Sequence, residues 1–197
     1  SVTFITEACY ALCGVFDGNK AETEKICAES VSGEKLILDI LLDAVKKNPV
    51  NSRLAAKVSL ALGSMSFANG VSKQILQDKT IQRWKTLISV YKTHRKDEET
   101  LTWVSYAIAN NLQMIPKNER AEVLSEFKEL VPLVWSDVEH IRSNDQAVFF
   151  MDLFANLMGL PEMMKRFVDE PSPPITPKPC FALYLVRKPL GHSRTME

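Results

Sequence analysis

A short string of small and apolar residues returns along this chain at a near-constant interval. Ala61-Leu62-Gly63-Ser64 is followed 46 residues later by Ala107-Ile108-Ala109-Asn110, and after 46 more by Leu153-Phe154-Ala155-Asn156. Ala11-Leu12-Cys13-Gly14 stands 50 residues before the first of these. Val58 and Val104 hold the same register, as do Ser59 and Ser105. A period in the range of about 20–50 residues means that one supersecondary unit is stacked several times, because no single unit can bury its own apolar face.

The intervening segments show what the unit is. Residues 35–47 place Leu36, Ile37, Ile40, Leu41 and Val45 on one helical face. Residues 80–92 do the same with Ile81, Trp84, Leu87, Ile88 and Tyr91, and residues 127–140 with Phe127, Leu130, Val131, Val134 and Val138. Pro132 starts or kinks the last of these. Each is followed by a polar hinge ("NPVNS", "HRKDEE", "RSNDQ") whose Asn, Asp and Ser residues favour helix starts. The longer helix carrying the Ala-Leu string then follows, and after it a short helix at 20–29, 71–77 and 118–126. No alternating strand pattern competes over residues 1–169. Ala55, Ala61, Gly63, Ala107, Ala109 and Ala155 let neighbouring helices approach, while Leu62, Ile108 and Phe154 fill the space between them.

These elements resemble armadillo repeats, whose third helix often reads Ala-Leu-x-Asn-Leu before an Asn-rich turn. Here the matching residues are Ala61-Leu62-Gly63-Ser64-Met65, Ala107-Ile108-Ala109-Asn110-Asn111-Leu112 and Leu153-Phe154-Ala155-Asn156-Leu157, with Ile75-Leu76 and Val123-Leu124 at the short-helix position. A HEAT-like repeat is the neighbouring alternative. The resemblance implies an all-α fold: a right-handed α-solenoid of about three full armadillo/HEAT-like repeats with partial repeats at the ends. It covers residues 1–169. Residues 1–16 match only the last helix of a repeat, and residues 161–168 resemble the first helix of another. A segment of a longer array is therefore the expectation, with self-association through uncapped ends. From Glu170 the pattern stops. Residues 170–197 form a proline-rich tail, with Ser172-Pro173 and Thr176-Pro177 inside an extended linker. Its end, with apolar Phe181–Val186, reads as disordered, as an element docked on the repeats, or as unrelated sequence. Disorder is the expected reading.

Composition removes several classes of function. Twenty-four basic residues balance 24 acidic ones, so no general electrostatic attraction to nucleic acid or anionic membrane is expected. No apolar run reaches the roughly 18 residues that span a bilayer. No signal peptide is visible, although the chain begins at Ser1 rather than Met. Cys9, Cys13, Cys27 and Cys180 form no CxxC pair and read as buried thiols in a reducing compartment, so a cytoplasmic setting, or a nuclear one as well, is expected. His94, His140 and His192 are scattered, and His94 sits in a charged hinge that reads as solvated. No phosphate loop, dinucleotide fingerprint, nucleophile elbow or zincin motif occurs. No catalytic residue, metal or cofactor is expected.

In armadillo proteins the third helices line a concave groove, and helical spacing then gives the residues that face it. On the central helix these are Glu99, Trp103, Tyr106 and Asn110. The register sets Arg53, Lys57, Leu60 and Ser64 on one side, Asp145, Phe149, Asp152 and Asn156 on the other, and Thr3, Glu7, Tyr10 and Gly14 at the N-terminal end. The importin-alpha branch clamps basic peptides with repeated Trp and Asn pairs. This chain has something similar once, at Tyr106 and Asn110, so a nuclear-signal receptor is not expected. The resemblance implies a non-enzymatic scaffold or adaptor that binds a peptide or helix of another protein. Its groove residues would be Lys57, Glu99, Trp103, Tyr106, Asn110, Phe149, Asp152 and Asn156. Two alternatives stand beside it. One is a regulatory subunit docking a folded partner such as a small GTPase or a chaperone. The other is a repeat appendage of an enzyme lying outside this chain.

Overall fold

Ten α-helices form among the residues described by this computed structural model, which are 1–16, 20–28, 30–31, 35–66, 82–113, 115, 120–137, 141 and 144–169. In chain order they begin with α1 (Val2–Phe16), α2 (Lys20–Ala28), α3 (Ile37–Lys47) and α4 (Ser52–Met65). There follow α5 (Gln82–Thr93), α6 (Glu98–Gln113), α7 (Arg120–Ser125), α8 (Val131–Asp137), α9 (Asn144–Leu157) and α10 (Pro161–Asp169). A 3₁₀ turn, Lys128–Leu130, leads into α8, whose Pro132 lies in the first turn, where a missing amide costs little. The short helix expected at 71–77 and the tail at 170–197 lie outside the described residues, as do His140, His192, Cys180, Ile81 and Val138.

Two features differ from the sequence expectation. Ser30–Val31 (β1) pairs antiparallel with Lys35–Leu36 (β2), so α3 begins at Ile37 and not at Lys35. Two residues per strand are too few for any alternation to register in the sequence. The buried face of α3 is also turned: Leu38 and Leu42 join Leu41 and Val45 in the core, while Ile37 and Ile40 are only half-buried. In an unbroken apolar run, periodicity alone cannot choose the face.

The most extensive packing runs through one series of helices. α1 packs on α4, α4 on α6, and α6 on α9. A second series packs behind it, with α3 on α4, α5 on α6 and α3 on α5. The 46-residue register appears directly in the burial. Leu54, Val58, Ala61 and Met65 of α4 correspond to Thr100, Val104, Ala107 and Asn111 of α6, and to Gln146, Phe150, Leu153 and Leu157 of α9. All are at most 3% exposed. The ends of this stripe reach the preceding helix. The Thr100 hydroxyl lies 3.1 Å from the Ser52 carbonyl, and Asn111 Nδ2 donates to the Leu62 carbonyl at 3.4 Å. Small residues at Ala61 and Ala107 allow that approach, and burying each large apolar side chain contributes roughly 1.5–3 kcal/mol.

The hinges repeat as well. Asn51 caps α4 by accepting from the Leu54 amide at 2.9 Å, and Asp97, one period on, caps α6 by accepting from the Thr100 amide at 2.8 Å. His94 is buried, not solvated: its Nε2 donates to the Pro49 carbonyl at 2.9 Å, tying one hinge to the preceding one. Partial burial works against the Asp97 carboxylate, but hydrogen bonds from Thr100 and the nearby His94 outweigh it and hold its carboxyl below the usual range. Asp97→Ala is expected to cost about 1 kcal/mol, or roughly 2–4 °C in the melting midpoint of a chain this size. Because the folded pKa is lowered, this contribution is present above about pH 4 and is lost as pH falls through the folded value. Thermal melts of the two proteins should therefore converge in acid. A constant difference down to pH 2 would show that the carboxylate is not the cap.

Candidate functional site

The residues that helical spacing set on one stripe form a connected strip across α1, α4, α6 and α9. At one end Arg53 Nη2 of α4 donates to Glu7 Oε1 of α1 at 2.9 Å. One turn further along α4, Lys57 Nζ lies 2.7 Å from Glu99 Oε1 of α6 and 5.5 Å from the centre of the Tyr10 ring of α1. These are surface pairs, worth about 0–1 kcal/mol each. Their larger effect is to hold four side chains in fixed places along the strip.

The centre of the strip is aromatic. Tyr106 and Phe149 meet edge to face with ring centroids 4.7 Å apart, Trp103 and Phe149 lie 5.7 Å apart, and Trp103 and Tyr106 5.9 Å apart. All three are half-buried. Such spacings are those of rings already in contact, so the trio is a filled apolar patch and not an open cage. Two of the rings come from α6 and the third from α9. The Tyr106 ring lies across Gly63 of α4, so tightly that any Cβ at that position would collide with it. Gly63 thus belongs to the site as the floor under Tyr106. The sequence offered only its place in the Ala-Leu string, where small residues read as helix contacts.

The amides divide. Asn156 is buried and its Nδ2 is turned inward, 2.7 Å from the Asp152 carbonyl and 3.5 Å from the Ala109 carbonyl of α6. Asn110, its counterpart one period earlier, is half-buried, and its Nδ2 is buried without an acceptor among the described residues. Asp152 is half-buried, with its backbone carbonyl on Asn156. The side chain of Asp145 lies outside the described residues. Ser64 is buried and Gly14 is exposed.

Burial, helped by the neighbouring Cys13, pushes the Cys9 thiol up to about 12, which leaves it protonated and a poor nucleophile. Among the described residues no three His, Cys, Asp or Glu side chains converge as a metal site would require. None of the described helices is long and apolar enough to cross a membrane. A cavity of about 230 Å³ lies between α3 and α5, lined among others by Lys46, Lys85, Thr86 and Ser89, and shares no residue with the strip.

One buried cluster outside the strip was not anticipated. Tyr91 of α5 donates to Asp137 Oδ2 of α8 at 2.9 Å, and Arg95 binds both oxygens of the same carboxylate, with Nε at 3.0 Å from Oδ2. Tyr91 and Asp137 stand one period apart, a signal present in the sequence but hidden by the apolar Val45 at the preceding equivalent position. Comparison with known proteins adds no name to this geometry: no family model, curated protein or solved structure matches the chain.

Proposed function

We propose that this chain is an armadillo-like, right-handed α-solenoid segment that acts as a scaffold or adaptor in the cytoplasm. It would bind a peptide or helix of another protein along the strip on α4, α6 and α9. The observation that carries this reading is the half-buried trio of Trp103, Tyr106 and Phe149, assembled from two helices at the middle of the strip. Large aromatic side chains near the centre of an interface carry most binding energy. Asn110, half-buried one turn beyond Tyr106, would hold the partner's backbone. Lys57, Glu99 and Asp152 flank the trio and would set register and charge preference. Asn156 acts through the scaffold, fixing α9 on α6 beside the trio. The serial packing of α1, α4, α6 and α9 at a 46-residue register supports the solenoid assignment. No catalytic group or cofactor enters this mechanism.

Selection from a displayed library of random twelve-residue peptides tests the reading. Peptides enriched on the wild-type chain should lose about 2 kcal/mol of affinity on Trp103→Ala, close to thirtyfold at 1.4 kcal/mol per factor of ten. The helical circular-dichroism signal should be retained. A Trp buried in the core would instead cost about 3–5 kcal/mol of stability on truncation. If Trp103→Ala melts early by that amount, or if every selected peptide binds it as tightly as wild type, the strip is architecture only.

A further inference from the structure

We propose that the cavity between α3 and α5 is a binding site for a phosphomonoester, a phosphate group carried on a small apolar body. Its volume is about 230 Å³, below the roughly 300–1,000 Å³ of pockets that take drug-sized ligands, so the occupant is small. The floor is apolar, made by the buried Val45 of α3 and Val90 of α5. The rim is polar and cationic. Lys85, Ser89 and Thr93 stand at i, i+4 and i+8, so α5 sets one exposed row of an ammonium and two hydroxyls along the opening. Lys46 supplies a second ammonium from α3. The hinge fixes one end: Pro49 lines the cavity, and its carbonyl is held by His94, the residue after Thr93.

The charges around the cavity select an anion. Arg53, Lys57, Lys92 and Lys128 each meet a carboxylate. Neither Lys46 nor Lys85 meets one among the described residues. α5 carries no acidic residue, and the acidic residues of α3, Asp39 and Asp43, do not line the cavity. Lys46 and Lys47 both sit in the last turn of α3, where a cation suits the helix dipole, yet only Lys46 lines the cavity. Two ammonium groups match the charge of about −1.5 to −2 that a phosphomonoester carries at pH 7, and its three oxygens accept from hydroxyls as well as ammoniums. A carboxylate brings one charge and two oxygens, which leaves one cation unmatched. The apolar floor receives the body to which the phosphate is attached. A free small phosphate and a phosphorylated side chain share this chemistry. The site has no residue in common with the strip, so it stands apart from the peptide-binding reading.

Calorimetric titration of the 197-residue chain with phenyl phosphate at about pH 7.5, where the dianion dominates, tests this. Phenyl phosphate is expected to bind at one site, more tightly than benzoate or inorganic phosphate. Lys46→Gln and Lys85→Gln should each weaken it about tenfold, the loss of one charge-assisted contact. Both side chains are exposed, so the fold is retained, as circular dichroism can verify. Lys47→Gln should leave binding unchanged, and so should Trp103→Ala. Binding should weaken as pH falls through about 6, where the phosphate takes up its second proton, and as sodium chloride is added. N-acetyl-phosphotyrosine amide separates the two sources: binding tighter than that of phenyl phosphate assigns the site to a phosphorylated side chain, and weaker binding to a free small phosphate. Absence of binding overturns the proposal, as do Lys46→Gln and Lys85→Gln variants that bind like wild type. An equal loss in Lys47→Gln would show attraction to general charge and overturns the site. Benzoate binding as tightly as phenyl phosphate overturns the match to a dianion, and inorganic phosphate doing so overturns the role of the floor. Retention on phosphatidic acid vesicles without binding of phenyl phosphate would assign the lysines to a membrane surface and overturns the proposal as well.

Discussion

Arg95→Ala is expected to destabilise the chain by about 3–5 kcal/mol, the cost of leaving a buried carboxylate without its cation. Asp137 is 3% exposed and Arg95 31%, so the guanidinium keeps some water while the carboxylate has almost none. After the substitution only the Tyr91 hydroxyl remains on Asp137 among the bonds that now hold it. The pair joins α8 to the segment following α5, and the loss should therefore loosen that junction first. Replacing both partners, Arg95→Met with Asp137→Leu, should recover most of the loss, because desolvation offsets much of what a buried pair contributes. Urea unfolding followed by circular dichroism checks both. A loss under about 1 kcal/mol for Arg95→Ala would place Asp137 in contact with solvent. Tyr91 adds a dependence at high pH. Burial, then the adjacent Asp137 charge and the hydrogen bond to it, push its hydroxyl well above the ordinary range. A group whose folded pKa is raised contributes stability below its unfolded value of about 10, and that contribution is lost as pH rises further. Tyr91→Phe should flatten the alkaline limb.

This cluster marks where the sequence stops being readable. The helices themselves follow from local chemistry. Asn51 and Asp97 announce their starts, and Val58 and Ala61 recur as apolar residues, Val104 and Ala107 in α6 and Phe150 and Leu153 in α9, because each helix must cover the one before it. The strip was legible for the same reason: spacings of four and three place Trp103 and Tyr106 on one face, and the period brings Phe149 beside them. What was not legible depends on contacts between positions whose chemistry changes from repeat to repeat. Val45, Tyr91 and Asp137 occupy one equivalent position, and only the last two can pair. His94 looks solvated in "KTHRKDEE" until the hinge folds back on the Pro49 carbonyl. Asn110 and Asn156 look alike in sequence. Asn156 is turned onto Asp152 and Ala109, while the Nδ2 of Asn110 has no acceptor among the described residues. Asn156 bonds its own helix and the helix before it, and periodicity does not say which of two equivalent amides will do so.

Gly63→Leu is expected to cost about 3 kcal/mol, at the upper end of what overpacking costs, and to dismantle the aromatic strip at the same time. Helix propensity taken alone gives the opposite sign, since glycine inside a helix is about 1 kcal/mol worse than alanine. The deciding contact is the Tyr106 ring, which occupies the space a Cβ would need. That ring cannot simply swing aside, because Trp103 and Phe149 hold its other faces. A side chain at residue 63 must either part α4 from α6 or expel Tyr106 into solvent. Gly63→Ala should show the same conflict in milder form, destabilising the chain and shifting Trp103 emission to longer wavelength as its neighbour leaves. The discriminating measurement is the double-mutant cycle with Tyr106→Ala. With the ring removed, Gly63→Ala should become favourable, by up to the propensity difference, and the coupling between the two positions should exceed about 1 kcal/mol. Peptides selected on the wild-type strip should bind Gly63→Ala more weakly, even though residue 63 lies beneath the ring and not on the surface. If Gly63→Ala stabilises the chain with Tyr106 in place, the ring is not seated on α4, and the trio does not form the rigid patch that the binding reading requires.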